Sequence, residues 1–281
     1  MTRNKKILDM CNLKGLGLEI GPSHSPVLPK SKGYNIEILD HLDKEGLVQK
    51  YTGHNVNLES IEEVDYVWNG GSYVETINQS ERFDFIIASH IIEHTTCIIR
   101  FLNDCMTLLK PNGVLSLAIP DKRFIFDFYR PLSTVNEAIN CFLHDDKRHN
   151  LGILCEYFLN VVSSGSDLSW SGRSPNDLTL IHDLDYVKAN ISKHKDSDEY
   201  IDAHHWVFTK SSFELLVYDL ICLDFLKNLT IVKSFDVEGH EFFVTIRKTD
   251  ELNSGDVYVK NRRMQMLLNI ELELSNVKKL Y

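Results

Sequence analysis

Short apolar runs bounded by polar turns recur through the first half of the chain: LGLEI (16–20), NIEILD (35–40), VDYVW (64–68), FDFIIAS (83–89) and GVLSLAIP (113–120). Their apolar character is continuous rather than alternating, so each predicts a strand covered on both faces, and together they predict a mainly parallel sheet. Between the last two runs, Ile98, Phe101, Leu102, Cys105, Leu108 and Leu109 repeat at helical spacing, which stops at Pro111 and Gly113. That is a strand, helix, strand unit, and the same beat joins the earlier runs less sharply. Residues 1–130 therefore read as a doubly wound α/β sheet, in which ligands bind beyond the carboxyl ends of the strands.

After residue 130 the pattern changes. STVNEAINCFL (133–143) and LGILCEYFLNVV (151–162) predict amphipathic helices and SSGSDLSWSGRSP (163–175) a loop, so 131–205 is expected to be a mostly helical insertion or lid over the sheet. SSFELLVYDLICLDFL (211–226) resumes helical periodicity with a serine cap. LTIVKSFDVEGHEFFVTIRK (229–248) then gives two strands about a Glu-Gly turn, an antiparallel hairpin. The expected organisation is one core domain from 1–130 and 206–250, the insertion, and a C-terminal helix over 251–281. That helix is available to pack on the domain or on a second subunit, so a homo-oligomer is one expected assembly.

Composition narrows the class. At 281 residues and 43% apolar content the chain can bury a real core, which excludes disordered and fibrous readings. Its formal charge of −10 is spread out, which argues against nucleic acid as a partner. Six cysteines at irregular spacing, without a C-x-x-C pair, read as free thiols rather than a disulfide or zinc framework. MTRNKKILDMCNLKG has too short an apolar part for a signal peptide, and no run reaches the roughly 18 apolar residues of a membrane span. A cytoplasmic protein without membrane insertion is expected.

The candidate chemistry starts at LEIGPSHSP (18–26), where a strand breaks into a loop at Gly21. Glycine there permits a turn closed to other residues and lets a ligand approach the main chain. NIEILDH then ends the next strand at Asp40, where a carboxylate can accept both hydroxyls of a ribose. A nicotinamide enzyme would place G-x-G-x-x-G after the strand, whereas Gly15 and Gly17 precede it and Gly21 stands alone beyond it. One glycine and no pyrophosphate-binding run suit a nucleoside ligand without a diphosphate.

These residues resemble the class I S-adenosylmethionine-dependent methyltransferases. Glu19, Gly21, Ser23 and Ser25 occupy the positions of the family's acidic-x-Gly-x-Gly-x-Gly motif, with serine at two of the three glycines. FDFIIASHIIEH resembles the fourth-strand motif of one large subgroup, LLKPNGVLSLAIPD the helix, turn and fifth strand, and the terminal hairpin the reversed last strand. The resemblance covers roughly 15–130 and 207–248 and implies a seven-stranded α/β sheet with S-adenosyl-L-methionine as cofactor. It places Glu19, Gly21, Pro22, Ser23, Asp40 and His41 at the cofactor, Asn69 and Gly70 of WNGG near the adenine, and Ser89 and His90 near the methionine part.

IPDKRFIFDFYRPLST and DAHHWVFTKSSFELL look like methyltransferases that accompany bacterial surface-polysaccharide synthesis. A small acceptor is thus expected, a sugar or a phosphorylated or nucleotide-linked sugar. Asp121, Lys122, Arg123 and Arg130 follow the fifth strand, where cations would hold an anionic acceptor. If a hydroxyl is methylated, a histidine can take its proton, and the candidates in order are His205, His204, His94 and His90.

HIIEH also fits H-x-x-E-H, a zinc-protease pattern, but that motif needs a helix, whereas a strand precedes it here and Glu93 and His94 are expected to begin the next helix. HDDKRH (144–149) and IHDLD (181–185) could supply magnesium ligands, since some sugar methyltransferases use that ion; a polar lid surface explains them more simply, and no metal is assigned. A nicotinamide oxidoreductase and a non-catalytic nucleoside-binding protein remain as other readings.

Overall fold

The computed structural model describes residues 1–170, 178–197, 199–249 and 258–278. The end of the expected loop (171–175) and the start of the expected C-terminal helix (251–257) lie outside the described residues. Five strands, β1 (Gly17–Ile20), β2 (Ile36–Asp40), β3 (Tyr66–Val67), β4 (Phe83–Ser89) and β5 (Leu109–Pro120), pair in parallel. A second pair, β6 (Val162–Ser164) and β7 (Leu178–Leu180), forms a separate small ladder. The hairpin β8 (Leu229–Glu238) and β9 (Glu241–Lys248) completes the main sheet, with β9 antiparallel to β5. The seven strands run in the order β3-β2-β1-β4-β5-β9-β8, so the order reverses between β1 and β4. That reversal is where an open α/β sheet forms its ligand crevice.

The runs that form β1, β2, β4 and β5 are buried on both faces, as parallel pairing requires, whereas VDYVW yields only the two-residue edge strand β3, with Val67 exposed, because no further strand covers that edge. Along β4, Ile86 and Ala88 face one cluster while Phe85 and Ile87 face the other. The first is covered by α3 (Tyr73–Ile77), α4 (Ile98–Leu108) and α8 (Lys210–Cys222), the second by α1 (Arg3–Ile7) with Val27 and Leu28. Helix α2 (Lys44–Tyr51) follows β2, with Asp43 capping its first turn.

Several expected boundaries move. Helix α4 ends at Leu108, because Leu109 already pairs with Phe83 and Val114 with Phe85; Lys110–Gly113 bulge out of the ladder, with Asn112 at φ +63°. Glu93 and His94 do not begin that helix. They sit in a separate 3-10 turn, Ile92–His94, because His90 at φ +56° redirects the chain as it leaves β4. Thr209 caps α8, one residue before its Lys210 start, in place of the expected serine.

In the insertion, α5 (Val135–Leu143) and α6 (Leu151–Asn160) form where periodicity places them. The sequence reading lacks the β6–β7 ladder and α7 (Leu184–His194). Ala138 and Cys141 of α5 belong to the main core, whereas α6 and α7 enclose a small core of their own around Leu154, Phe158, Val187 and Ala203. The last helix, α9 (Lys260–Lys278), packs on α8 through Arg263 on Asp219 at 2.8 and 2.9 Å and Glu273 on Ser211. All six cysteines are free thiols, and among the described residues no helix is long and apolar enough to cross a membrane.

Candidate functional site

The carboxyl ends of β1, β2 and β4 open onto a cavity of about 730 Å3, bordered by Gly21, Asp40, Ser89 and His90 on the sheet side and by Tyr51, Trp68, Tyr73 and Tyr200 outside. Its volume is in the range of small-molecule sites. The turn after β1 is built by two left-handed residues, Gly21 at φ +62° and Ser23 at φ +48°. A Cβ on Gly21 would stand 2.2 Å from Ile91 Cδ1. Ser23 accepts a conformation that costs an L-residue about 1–2 kcal/mol, and its N–H donates to Asp40 Oδ2 at 2.9 Å. The next strand thereby supplies an acceptor for the backbone of a left-handed serine.

Asp40 is 1% exposed. Its Oδ1 accepts from His41 N at 2.8 Å and faces His41 Nδ1 at 2.6 Å, while Ser23 Oγ stands 3.5 Å from Oδ2. A ribose hydroxyl would reach this carboxylate by displacing the His41 ring or the Ser23 hydroxyl. Glu19 lies beneath the turn, where its two oxygens accept from Val27 N at 2.6 Å and Leu28 N at 3.1 Å. Burial pushes its carboxyl up to about 7 against those two bonds. Pro22 and Ser25 border the same cavity, and Ser25 N donates to Pro22 O at 2.8 Å.

At the end of β4 Arg3 completes the wall and Glu241, also distant in sequence, holds it there. Arg3 of α1 donates to Ser89 Oγ at 2.7 Å and to Glu241 at 2.6 and 3.0 Å, and His90 Nε2 meets Glu241 Oε2 at 3.0 Å. Burial alone would lower the His90 pKa, but Glu241 and Glu93 outweigh it and hold the imidazole at about 9. Burial would likewise raise Glu241, whose carboxyl His90 and Arg3 bring down to about 2. Neither Arg3 nor Glu241 carries a signal in the sequence, since only the tertiary fold brings α1 and the hairpin to this edge.

Of the four candidate histidines, His90 and His94 border the cavity. His94 Nδ1 lies 2.8 Å from Asp202 Oδ1. Burial pulls the His94 pKa down, and Asp202 and Glu93 more than reverse that. His204 is buried behind this wall, with Nδ1 hydrogen-bonded to Asp127. His205, the first candidate, is also behind it, its ring stacked on Trp206 at 4.1 Å and its pKa driven down to about 3 by burial and the nearby His149 and Arg130.

Asn69 and Gly70 border a second cavity of about 870 Å3 together with Lys147, Arg148 and His149, and among the described residues only Tyr200 borders both cavities. Trp68 is the WNGG residue that faces the first cavity, with Nε1 donating to Gly71 O at 2.7 Å. The expected acceptor-binding group is not brought to either cavity. Arg123 closes on buried Asp121 at 2.8 Å, Lys122 donates to Phe128 O at 2.6 Å, and Arg130 is enclosed by Asp127 and Glu156. Each cation is committed to an internal acceptor close in sequence or space. HDDKRH follows α5 and touches the second cavity, and IHDLD caps α7 through Asp183.

No protein-family model matches the chain. A ubiquinone biosynthesis O-methyltransferase of Rhodopseudomonas palustris is 47% identical over 45 residues, a match that spans 16% of this chain and 18% of that protein. Among solved structures, a Burkholderia thailandensis 1,6-didemethyltoxoflavin-N1-methyltransferase, crystallised with 1,6-didemethyltoxoflavin and S-adenosylhomocysteine, is similar at TM-score 0.39 and 13% identity, over 84% of this chain and 72% of that one. A Methanosarcina mazei SAM-dependent methyltransferase is similar at TM-score 0.38 and 16% identity, over 86% and 96%. At these scores the activity has to be argued from the site.

Proposed function

We propose that the chain is a methyltransferase that takes S-adenosylmethionine into the cavity at the Gly21 turn and methylates an oxygen, rather than a nitrogen, of a small acceptor. The observation that carries this reading is the convergence of Gly21, Asp40, Trp68 and Ser89 on one cavity at the point where strand order reverses. Asp40 would accept the ribose, Trp68 and Tyr73 would flank the base, and Arg3 would face the amino-acid carboxylate. Gly21 leaves the main chain open to close approach. A pyrophosphate would need a longer glycine run than this turn offers, which sets the nicotinamide reading aside.

When bound, the cofactor supplies an electrophilic methyl carbon on a sulfonium. The chain's part is then alignment, which can contribute about 7–11 kcal/mol. The insertion brings Tyr200 and Asp202 to the cavity beside Thr95 and His94, so the acceptor hydroxyl would be presented from that side and its identity read by residues of 131–205. A saccharide fits the polar character of this wall; the cations after β5 do not contribute to it.

Calorimetric titration tests the cofactor assignment. S-adenosylhomocysteine is expected to bind one site at micromolar concentration while NADH gives no heat of binding. The reverse preference would make the chain a nicotinamide protein and end the methyltransferase reading.

A further inference from the structure

Behind the cavity wall, Glu93, His94 and His204 bring three ligand atoms within 4.8 Å of one another. Glu93 is 0% exposed, and among the described residues neither of its carboxylate oxygens has a hydrogen-bond donor. The imidazole nitrogens nearest to it are His90 Nδ1 at 3.4 Å and His94 Nε2 at 4.0 Å, beyond or at the edge of hydrogen-bonding reach. His90 and His94 offset the Glu93 charge across these gaps, and an ion bonded directly to the carboxylate would satisfy it more fully.

The two histidines are prepared in the same way. His94 Nδ1 faces Asp202 at 2.8 Å, and His204 Nδ1 is bonded to Asp127, which Arg130 in turn holds at 2.9 Å. The His204 ring is thus fixed by a carboxylate hydrogen bond and the His94 ring is paired electrostatically with one, which leaves Nε2 of each for another partner. This carboxylate-imidazole pairing is how metal-ligating histidines are held.

We infer that Glu93, His94 and His204 form a binding site for a divalent transition-metal ion. Two imidazoles and one carboxylate favour the Mn2+ to Zn2+ series over Mg2+ or Ca2+, which prefer shells of oxygen alone. Ligand atoms about 2.0–2.2 Å from such an ion stand roughly 3–4 Å apart, so small side-chain rotations close the observed group. Of the three ligands His94 borders the cavity, from which water or an oxygen ligand would complete the ion's shell. HIIEH contributes two of the ligands from a single 3-10 turn, and His204 arrives from the end of the insertion. The site goes beyond the methyl-transfer reading and does not depend on it.

Tag-free protein, stripped with a chelator and dialysed, is titrated with Co2+ and followed by visible absorption. One equivalent is expected to bind with d–d bands stronger than those of the aqueous ion and to be displaced by Zn2+. Glu93→Gln and His204→Ala should each weaken binding at least tenfold, whereas His182→Ala, a ring stacked on Tyr186 in the insertion, should leave it unchanged. An aqueous-type spectrum with wild-type protein, or undiminished affinity in both site variants, overturns the assignment. Pulsed electron paramagnetic resonance of Cu2+ in the wild-type protein reads ligation even if a variant fails to fold: two coupled imidazoles support the site and none contradicts it. A protein that binds Co2+ but not S-adenosylhomocysteine keeps this site and loses the methyltransferase reading, and the converse result does the opposite.

Discussion

Arg130→Met is expected to lower the free energy of unfolding by about 3–5 kcal/mol, the largest loss of any single substitution considered. Arg130 is 1% exposed, and its donors reach Glu156 twice, Asp127, and the carbonyls of His204 and His205. These five bonds use its full set of N–H groups. Methionine fills much of the volume but leaves Asp127 as a buried carboxylate without its cation, and two carbonyls without donors. Removing one partner of a buried pair is the costly case, because the other charge stays behind. Urea unfolding followed by circular dichroism measures the loss, and a change below about 1 kcal/mol would place this network in the class of solvent-screened pairs. Arg130, expected from its position to hold an anionic acceptor, is on this account the joint between the insertion and the loop after β5.

The second large effect concerns the turn. Asp40→Ala should weaken S-adenosylhomocysteine binding about 10–100-fold, from the loss of charge-assisted hydrogen bonds of about 1.5–3 kcal/mol. It removes the acceptor of the Ser23 N–H and with it the support for a left-handed serine, so the turn loses its shape as well as the proposed ribose partner. Asp40→Asn keeps one acceptor and should fall between the two. Calorimetry on the three proteins checks the order, and unchanged affinity in Asp40→Ala would remove Asp40 from the ribose role.

The core was legible because its signals are local. Continuous apolar runs gave β1, β2, β4 and β5, and the hairpin was visible in its own sequence. Gly21 and Asp40 were legible as a pair because each ends a strand. What escaped depends on contacts between distant segments. Arg3 and Glu241 are 238 residues apart, and His204 meets Glu93 only because the insertion folds back over the sheet. The β6–β7 ladder is three residues a side, too short for alternation to declare it. The cations after β5 show the opposite failure: sequence displays a charge but not its partner, and Arg123 and Lys122 are turned inward by Asp121 and the Phe128 carbonyl.

Hydrogen exchange of the full chain, with and without saturating S-adenosylhomocysteine, tests the central claim most directly because it locates the ligand. Protection is predicted for peptides spanning 21–25, 39–41 and 89–95, the segments that border the first cavity. Protection confined to 145–151 and 194–199, around the second cavity, or no protection at all, would contradict a donor site at the Gly21 turn.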